Sequence, residues 1–242
     1  MRLLLIHGFV CDARFWAPQE AFLSGLGHEV IAPDLPFHGG PTDDVTQSLE
    51  GLADWVYRTH LQEPAVLIGH SLGGMIALQI AHDHASQVSG LALIDSFPSL
   101  ELNRDLLPGM FRDSGPGDVR RWVEATRAQL LEQMTMPVYG ALWPTVLAFD
   151  ARPWLTTLAC PVLGLYGGRG LYAAADAPVL REQLGLDRMA GDVDVGIIEQ
   201  AAHFVGLERP DEANAALGRW LAEHFGNARL VPVNRHRKPP DA

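Results

Sequence analysis

The chain has 242 residues, of which 48% are hydrophobic and 19% are charged, which permits one large α/β domain and excludes a disordered chain. Its formal net charge of −11 argues against a nucleic-acid-binding protein, because phosphate contacts require a basic surface. There is no apolar stretch long enough for a membrane span or signal peptide. Cys11 and Cys160 fit neither a disulfide framework nor a metal site. We therefore expect a soluble cytoplasmic protein.

Six short apolar runs bounded by Gly, Pro or Asp predict buried strands of a parallel sheet. They lie at Leu3–His7, Glu29–Ala32, Ala65–Gly69, Val88–Asp95, Val162–Gly167 and Val193–Glu199. Helical patterns fall between and after them, at Phe15–Leu26, Thr46–His60, Leu72–His84, Ala177–Leu184 and Asp211–Phe225. This alternation predicts an α/β protein with a mostly parallel sheet of about six strands flanked by helices.

The alternation is interrupted once, between Phe97 and Ala159, where no strand is predicted. Helical patterns such as Val119–Met134 occur there, with the bulky apolar side chains Trp122, Met134, Met136, Trp143 and Trp154. We interpret residues 97–159 as a helical lid over the carboxyl ends of the strands, where open sheets bind ligands; an insertion that packs on itself is the alternative. Residues 1–96 and 160–226 then form the core, and residues 227–242 form a flexible basic tail.

The strongest chemical signal is the turn Gly69-His70-Ser71-Leu72-Gly73-Gly74. It follows a predicted buried strand and precedes a predicted helix, which is the context that a G-x-S-x-G motif requires. Gly69 and Gly73 lack Cβ atoms and therefore let strand and helix approach closely. Such a turn raises the Ser71 hydroxyl above the sheet and directs the positive end of the following helix at the reacting centre, so we predict that Ser71 is a nucleophile.

From Leu3 to about Phe225 the chain resembles the α/β-hydrolase superfamily. Besides the turn at Ser71, the resemblance rests on motifs after the first, second and last strands: Leu5-Ile6-His7-Gly8-Phe9 with Phe15-Trp16, Ala32-Pro33-Asp34-Leu35-Pro36-Phe37-His38-Gly39, and Ala201-Ala202-His203-Phe204 with Glu208-Arg209-Pro210. Phe37 departs from the family pattern, which more often has glycine there. The resemblance implies the α/β-hydrolase fold and acyl-transfer chemistry, with no metal or organic cofactor, but it does not specify the substrate.

A serine hydroxyl needs a base that removes its proton. Among ten histidines, His203 directly follows a predicted strand, at the same sheet end as Ser71, and it matches the family's late histidine. We therefore predict that His203 is the general base and that activity falls as it is protonated in acid. His70 precedes the nucleophile and is expected to point away. The resemblance also implies an oxyanion hole made by the backbone N–H groups of Phe9 and Leu72.

The acidic member of a Ser-His-acid triad is ambiguous in this sequence. In many family members the acid follows the strand that returns from the lid, but here Gly170 stands in that place. Asp95, at the end of the strand after the nucleophile helix, and Asp176, just beyond the next loop, are the candidates. Asp176 equally fits the N-cap of the following helix. We predict Asp95; Asp176 and a site without a functional acid are the alternatives.

These features predict a serine hydrolase that cleaves a carboxylic ester, thioester or lactone through an acyl-enzyme. The tryptophans and methionines of the predicted lid indicate a small-molecule substrate with an apolar part. One alternative, which Gly170 keeps open, is a non-hydrolytic protein of the same fold: a lyase, a C–C bond-cleaving or cofactor-free enzyme, or a ligand receptor. Another is a scaffold that acts through the basic tail. No membrane or nucleic-acid partner and no particular oligomeric state is predicted.

Overall fold

The computed structural model describes residues 1–100, 117–130, 134–169 and 176–226. Within these residues, six parallel strands form one sheet in the order β2-β1-β3-β4-β5-β6. The strands are β1 (Arg2–Ile6), β2 (Glu29–Ile31), β3 (Ala65–His70), β4 (Val88–Ile94), β5 (Val162–Gly167) and β6 (Val193–Ile198). Each predicted strand is confirmed to within one residue at either end, and so is the α/β fold class.

Helices connect the strands and flank the sheet. They are α1 (Ala17–Gly25), α2 (Leu49–His60), α3 (Leu72–Asp83), α4 (Gly117–Leu130), α5 (Met136–Ala148), α6 (Ala177–Gln183), α7 (Val205–Glu208) and α8 (Pro210–Phe225). Two of the predicted helices begin later than expected, for local reasons. The Asp12 side chain caps a short 3₁₀ turn at Ala13–Trp16 that precedes α1, and the Ser48 hydroxyl accepts the N–H of Gly51 and so sets the start of α2.

Both faces of the sheet are covered, as the continuous apolar strands predict. Successive side chains of β1 alternate between the two faces: Leu4 and Ile6 belong to the core beneath α2 and α3, whereas Leu3 and Leu5 belong to the core on the opposite face. That second core includes residues of α8 and the rings of Phe15 and Trp16. The sheet is therefore buried on both faces, and its carboxyl ends carry the loops described below.

The segment between β4 and β5 contains α4 and α5. The parts of it that the structure describes hold no strand, although Ser99 and Asp150 form an isolated antiparallel bridge. Helix α5 is tied to α2 by the Leu49 N–H, which donates to the Thr145 hydroxyl at 2.9 Å. Gly170, the first part of the predicted lid at 101–116 and the predicted tail at 227–242 lie outside the described residues. None of the described helices is long and apolar enough to cross a membrane.

Candidate active site

The turn that carries Ser71 has the strained backbone that the sequence predicts. Ser71 has φ 52° and ψ −117°, in the left-handed half of φ space that a non-glycine residue rarely adopts. A Cβ atom on Gly73 would overlap the carbonyl group of Ile6, so β1 runs directly against the start of α3. The Ser71 N–H donates to Ile94 O at 3.1 Å, and the Ser96 hydroxyl donates to Ser71 O at 2.7 Å. Contacts from the end of β4 and from the residues that follow it therefore hold the serine backbone in this conformation.

His203 and Asp95 meet at the carboxyl ends of the strands. Their side chains are joined by a hydrogen bond of 2.5 Å between His203 Nδ1 and Asp95 Oδ2, although 108 residues separate them in sequence. Both residues are buried, with 3% and 1% of their surfaces exposed. The other carboxylate oxygen, Asp95 Oδ1, accepts the N–H of Gly167 at 3.0 Å. A carboxylate held in this way favours the imidazole tautomer with the proton on Nδ1 and leaves Nε2 able to accept one.

The backbone at Asp95 is also unusual. Its φ is 45°, a left-handed conformation that aspartate tolerates better than most residues, and its N–H donates to Leu165 O at 2.8 Å. These contacts anchor Asp95 to β5 and bring its carboxylate within reach of the loop after β6. Asp176, by contrast, is exposed at the N-cap of α6, where Oδ1 accepts the Val179 N–H at 3.0 Å. Of the two candidate acids, the structure brings Asp95 to His203.

The loop after β1 lies beside the nucleophile turn. A Cβ atom built on Gly8 would be 3.2 Å from Ser71 Cβ, so this loop passes directly against the serine. Phe9 follows Gly8 in a tight turn that is closed by a 3.2 Å hydrogen bond from the Cys11 N–H to Gly8 O. Leu72 is the first residue of α3. Both predicted oxyanion donors thus lie next to Ser71 in the fold, and their donor role remains a prediction.

An aromatic cluster connects this loop with α5. The Phe9 ring lies 5.1 Å from that of Trp143 and 6.0 Å from that of Tyr139, and Tyr139 and Trp143 stack at 5.7 Å. All three side chains are partly exposed. Trp143 is one of the bulky apolar residues of the predicted lid, whereas Tyr139 is not among them. The spacing of four residues on a helix is the sequence signal that places Tyr139 on the same face as Trp143.

The other bulky residues of the predicted lid lie elsewhere. The Trp122 ring lies 6.3 Å from that of Phe15, and the Trp154 ring stacks on His82 at 4.4 Å. Met134 is buried in the core, whereas Met136 is 78% exposed at the start of α5. Of the five apolar residues noted in the sequence, Trp143 is therefore the one whose described contacts include Phe9.

The expectation that His70 points away from the site is wrong. Its ring stacks on Phe15 at 4.4 Å, and the ring centres of His70 and His203 are 4.8 Å apart. Burial keeps the pKa of His70 well below its usual range, so the ring is neutral. Its Nε2 is 2.9 Å from the carbonyl oxygen of His203. The β3 strand continues through residue 70, and the alternation of side chains along it directs the His70 ring towards the core around Phe15.

Glu208 was noted in the sequence only as part of the family resemblance. Its carboxylate is buried against the loop that carries His203, with 7% of the residue exposed. Oε2 accepts the N–H of Ala202 at 2.9 Å, and Oε1 accepts the N–H of Phe204 at 3.0 Å. The sequence signal that could have found it is an acidic residue directly after the loop of the general base, within one helical turn of Phe204.

Comparison with known proteins places the chain in a family. Residues 3–216 match the model of the alpha/beta hydrolase family. A pimeloyl-acyl-carrier protein methyl ester esterase of Proteus mirabilis is 28% identical to this chain, and the match covers 89% of this chain and 90% of the esterase. Another esterase of the same name, from Photorhabdus laumondii, is 33% identical, and the match covers 87% of this chain and 88% of that esterase. The enol-lactonase of Burkholderia xenovorans LB400 shares the fold, with a TM-score of 0.69, 20% identity and coverage of 91% of both chains. The chain belongs to the alpha/beta hydrolase family.

Proposed function

We propose that this protein is a serine hydrolase of carboxylic esters, thioesters or lactones in which Ser71 is the nucleophile, His203 the general base and Asp95 the acid. The observation that carries the proposal is the buried hydrogen bond between His203 and Asp95 at the carboxyl ends of the strands. The strained turn at the end of β3 supports Ser71 as the third member. The names of the relatives from Proteus mirabilis and Photorhabdus laumondii support ester cleavage.

The reaction follows from these positions. As Ser71 Oγ attacks the carbonyl carbon, its proton passes to His203 Nε2, and the N–H groups of Phe9 and Leu72 donate to the developing oxyanion. Asp95 stays ionised and stabilises the imidazolium. The C–O or C–S bond then breaks while His203 returns the proton to the leaving alcohol or thiol. A water molecule, deprotonated by His203, next attacks the acyl-enzyme. The acyl C–O bond to Ser71 then breaks, His203 returns the proton to Ser71 Oγ, and the carboxylic acid product leaves.

The aromatic cluster favours a small-molecule substrate with an apolar part. Phe9, Tyr139 and Trp143 offer partly exposed ring surface beside the loop that carries a proposed oxyanion donor. We assign residues 97–159 to a lid, because α5 brings Tyr139 and Trp143 to this loop. The acyl or alcohol group would pack against these rings while the carbonyl lies over Ser71. The composition and the free thiols Cys11 and Cys160 favour a cytoplasmic location.

Hydrolysis of short acyl nitrophenyl esters and labelling by a fluorophosphonate test the proposal together. Ser71→Ala is expected to abolish labelling and to lower kcat by about 10⁶-fold, because no other group supplies the nucleophile. Ser89→Ala is the matched control, since Ser89 is exposed on β4 and should behave like the wild type. Circular dichroism checks that each variant is folded. A folded wild-type protein that neither reacts with the probe nor hydrolyses any ester would refute the proposal.

A further inference from the structure

The short loop that carries His203 is held by side chains from two other parts of the chain. Its two flanking N–H groups, those of Ala202 and Phe204, both donate to the carboxylate of Glu208, at 2.9 Å and 3.0 Å. The carbonyl group of His203 itself is 2.9 Å from Nε2 of His70. Because the neutral His70 ring can carry its proton on Nε2, this contact is a hydrogen bond from the ring to the carbonyl. Three consecutive residues of the loop are thus fixed through their backbones.

Glu208 occupies its position at an energetic cost. Burial raises the pKa of its carboxyl above the usual value, the negative charge of Asp95 acts in the same direction, and the two N–H donors and Arg169 oppose the shift. A second buried carboxylate close to the Asp95–His203 pair does not help the fold as a charge. What a carboxylate supplies here is two acceptor oxygens at a fixed spacing, one for each of the two N–H groups. A neutral amide offers one acceptor and would set its NH₂ group against the other N–H.

We propose that Glu208 and His70 are positioning residues for the general base: they fix the backbone of residues 202–204 so that the His203 imidazole stays in line between Asp95 and Ser71. Asp95 holds the ring at Nδ1. The clamp formed by the Glu208 carboxylate and the hydrogen bond from His70 add restraints on the backbone that carries this ring. Their role presupposes that Ser71 and His203 act as proposed above.

The effect should appear in the chemical step rather than in substrate binding. Neither side chain needs to touch the substrate, because both act through the His203 backbone. A shift of about 1 Å in a catalytic group is enough to cost about 10²-fold in rate. Glu208→Gln is therefore expected to lower kcat by about 10²-fold with KM within about twofold of the wild type. His70→Phe keeps a ring that can stack on Phe15 and loses the donor, so we expect a fall of about tenfold in kcat.

The experiment measures kcat per active site, with the sites counted by complete fluorophosphonate labelling of Ser71. Glu212→Gln is the matched control, because Glu212 is exposed on α8 and pairs with Arg209. If Glu208 and His70 served only the fold, their variants would lose melting temperature or labelled fraction while kcat per labelled site stayed at the wild-type value. A positioning role predicts the reverse: full labelling at long times, a slower labelling rate and a lower kcat per site.

Each outcome decides the inference separately from the proposed function. If Ser71→Ala is inactive and Glu208→Gln has wild-type kcat per site, the clamp is refuted and the proposed function stands. If Ser71→Ala keeps its activity, the proposed function itself fails. If Glu208→Gln does not fold, His70→Phe decides: a wild-type kcat per labelled site in that variant overturns the positioning role, and a tenfold loss at unchanged KM supports it.

Discussion

Asp95→Asn is the substitution that most directly tests the proposed triad. Asp95 uses both carboxylate oxygens: Oδ1 accepts the Gly167 N–H and Oδ2 faces His203 Nδ1. The Gly167 N–H is fixed at the end of β5, and leaving it buried without an acceptor would cost about 1–3 kcal/mol. The asparagine is therefore expected to turn its oxygen to Gly167 and its NH₂ group to His203. Nδ1 must then accept, which moves the ring proton to Nε2.

An imidazole with its proton on Nε2 cannot take the proton of Ser71. In serine proteases the same exchange costs about 10⁴ in kcat, and about 1.36 kcal/mol per factor of ten converts this to roughly 5 kcal/mol of transition-state stabilisation. We expect a loss of this size for Asp95→Asn at neutral pH, with KM changed much less. Steady-state hydrolysis of a nitrophenyl ester measures the loss, and circular dichroism checks that the variant is folded.

Asp176→Asn is the matched control for this experiment. Asparagine caps helices about as well as aspartate, and Asp176 is exposed, so both stability and activity should stay close to those of the wild type. The reasoning would be refuted if Asp95→Asn kept its rate to within tenfold of the wild type. A loss above tenfold in Asp176→Asn would instead transfer the role of the acid to that residue.

Two further predictions concern stability and are checked by urea denaturation. Gly73→Ala should strongly destabilise the protein, because the added Cβ would overlap the Ile6 carbonyl group. Gly140 lies in open space on α5, so Gly140→Ala should raise the free energy of unfolding by about 0.5–1 kcal/mol. If the two variants were equally stable, the close approach at the turn would be contradicted. Burial lowers the pKa of His7 to about 4, so the unfolded chain binds a proton that the folded chain excludes. Between pH 7 and pH 5, this group should therefore lower the free energy of unfolding by about 2 kcal/mol. His7→Gln should lose this part of the pH dependence. If the variant and the wild type showed the same dependence of stability on pH, the assignment to His7 would be wrong.

Most of the fold could be predicted because its signals are local. Strand ends agree to within one residue, since each buried strand is a short apolar run bounded by residues that break it. The predicted helix starts are less accurate where a side chain accepts one of the first N–H groups and so sets where the helix begins, as Ser48 does ahead of α2. The expectation for His70 is wrong because the motif predicts a turn at this residue. In the structure, His70 is the last residue of β3, with its ring packed on Phe15.

The sequence by itself determined the strand–turn–helix around Ser71, because glycine spacing and apolar periodicity act over a few residues. It favoured Asp95 but did not exclude Asp176, because both residues lie next to regular elements near the same sheet end. That choice depends on β5 lying between β4 and β6, an order set by long-range strand pairing and not by any local pattern. The tertiary structure brings Asp95 to His203 across 108 residues. It also shows that Glu208, which the sequence presents only as part of a motif, accepts two N–H groups beside the proposed base.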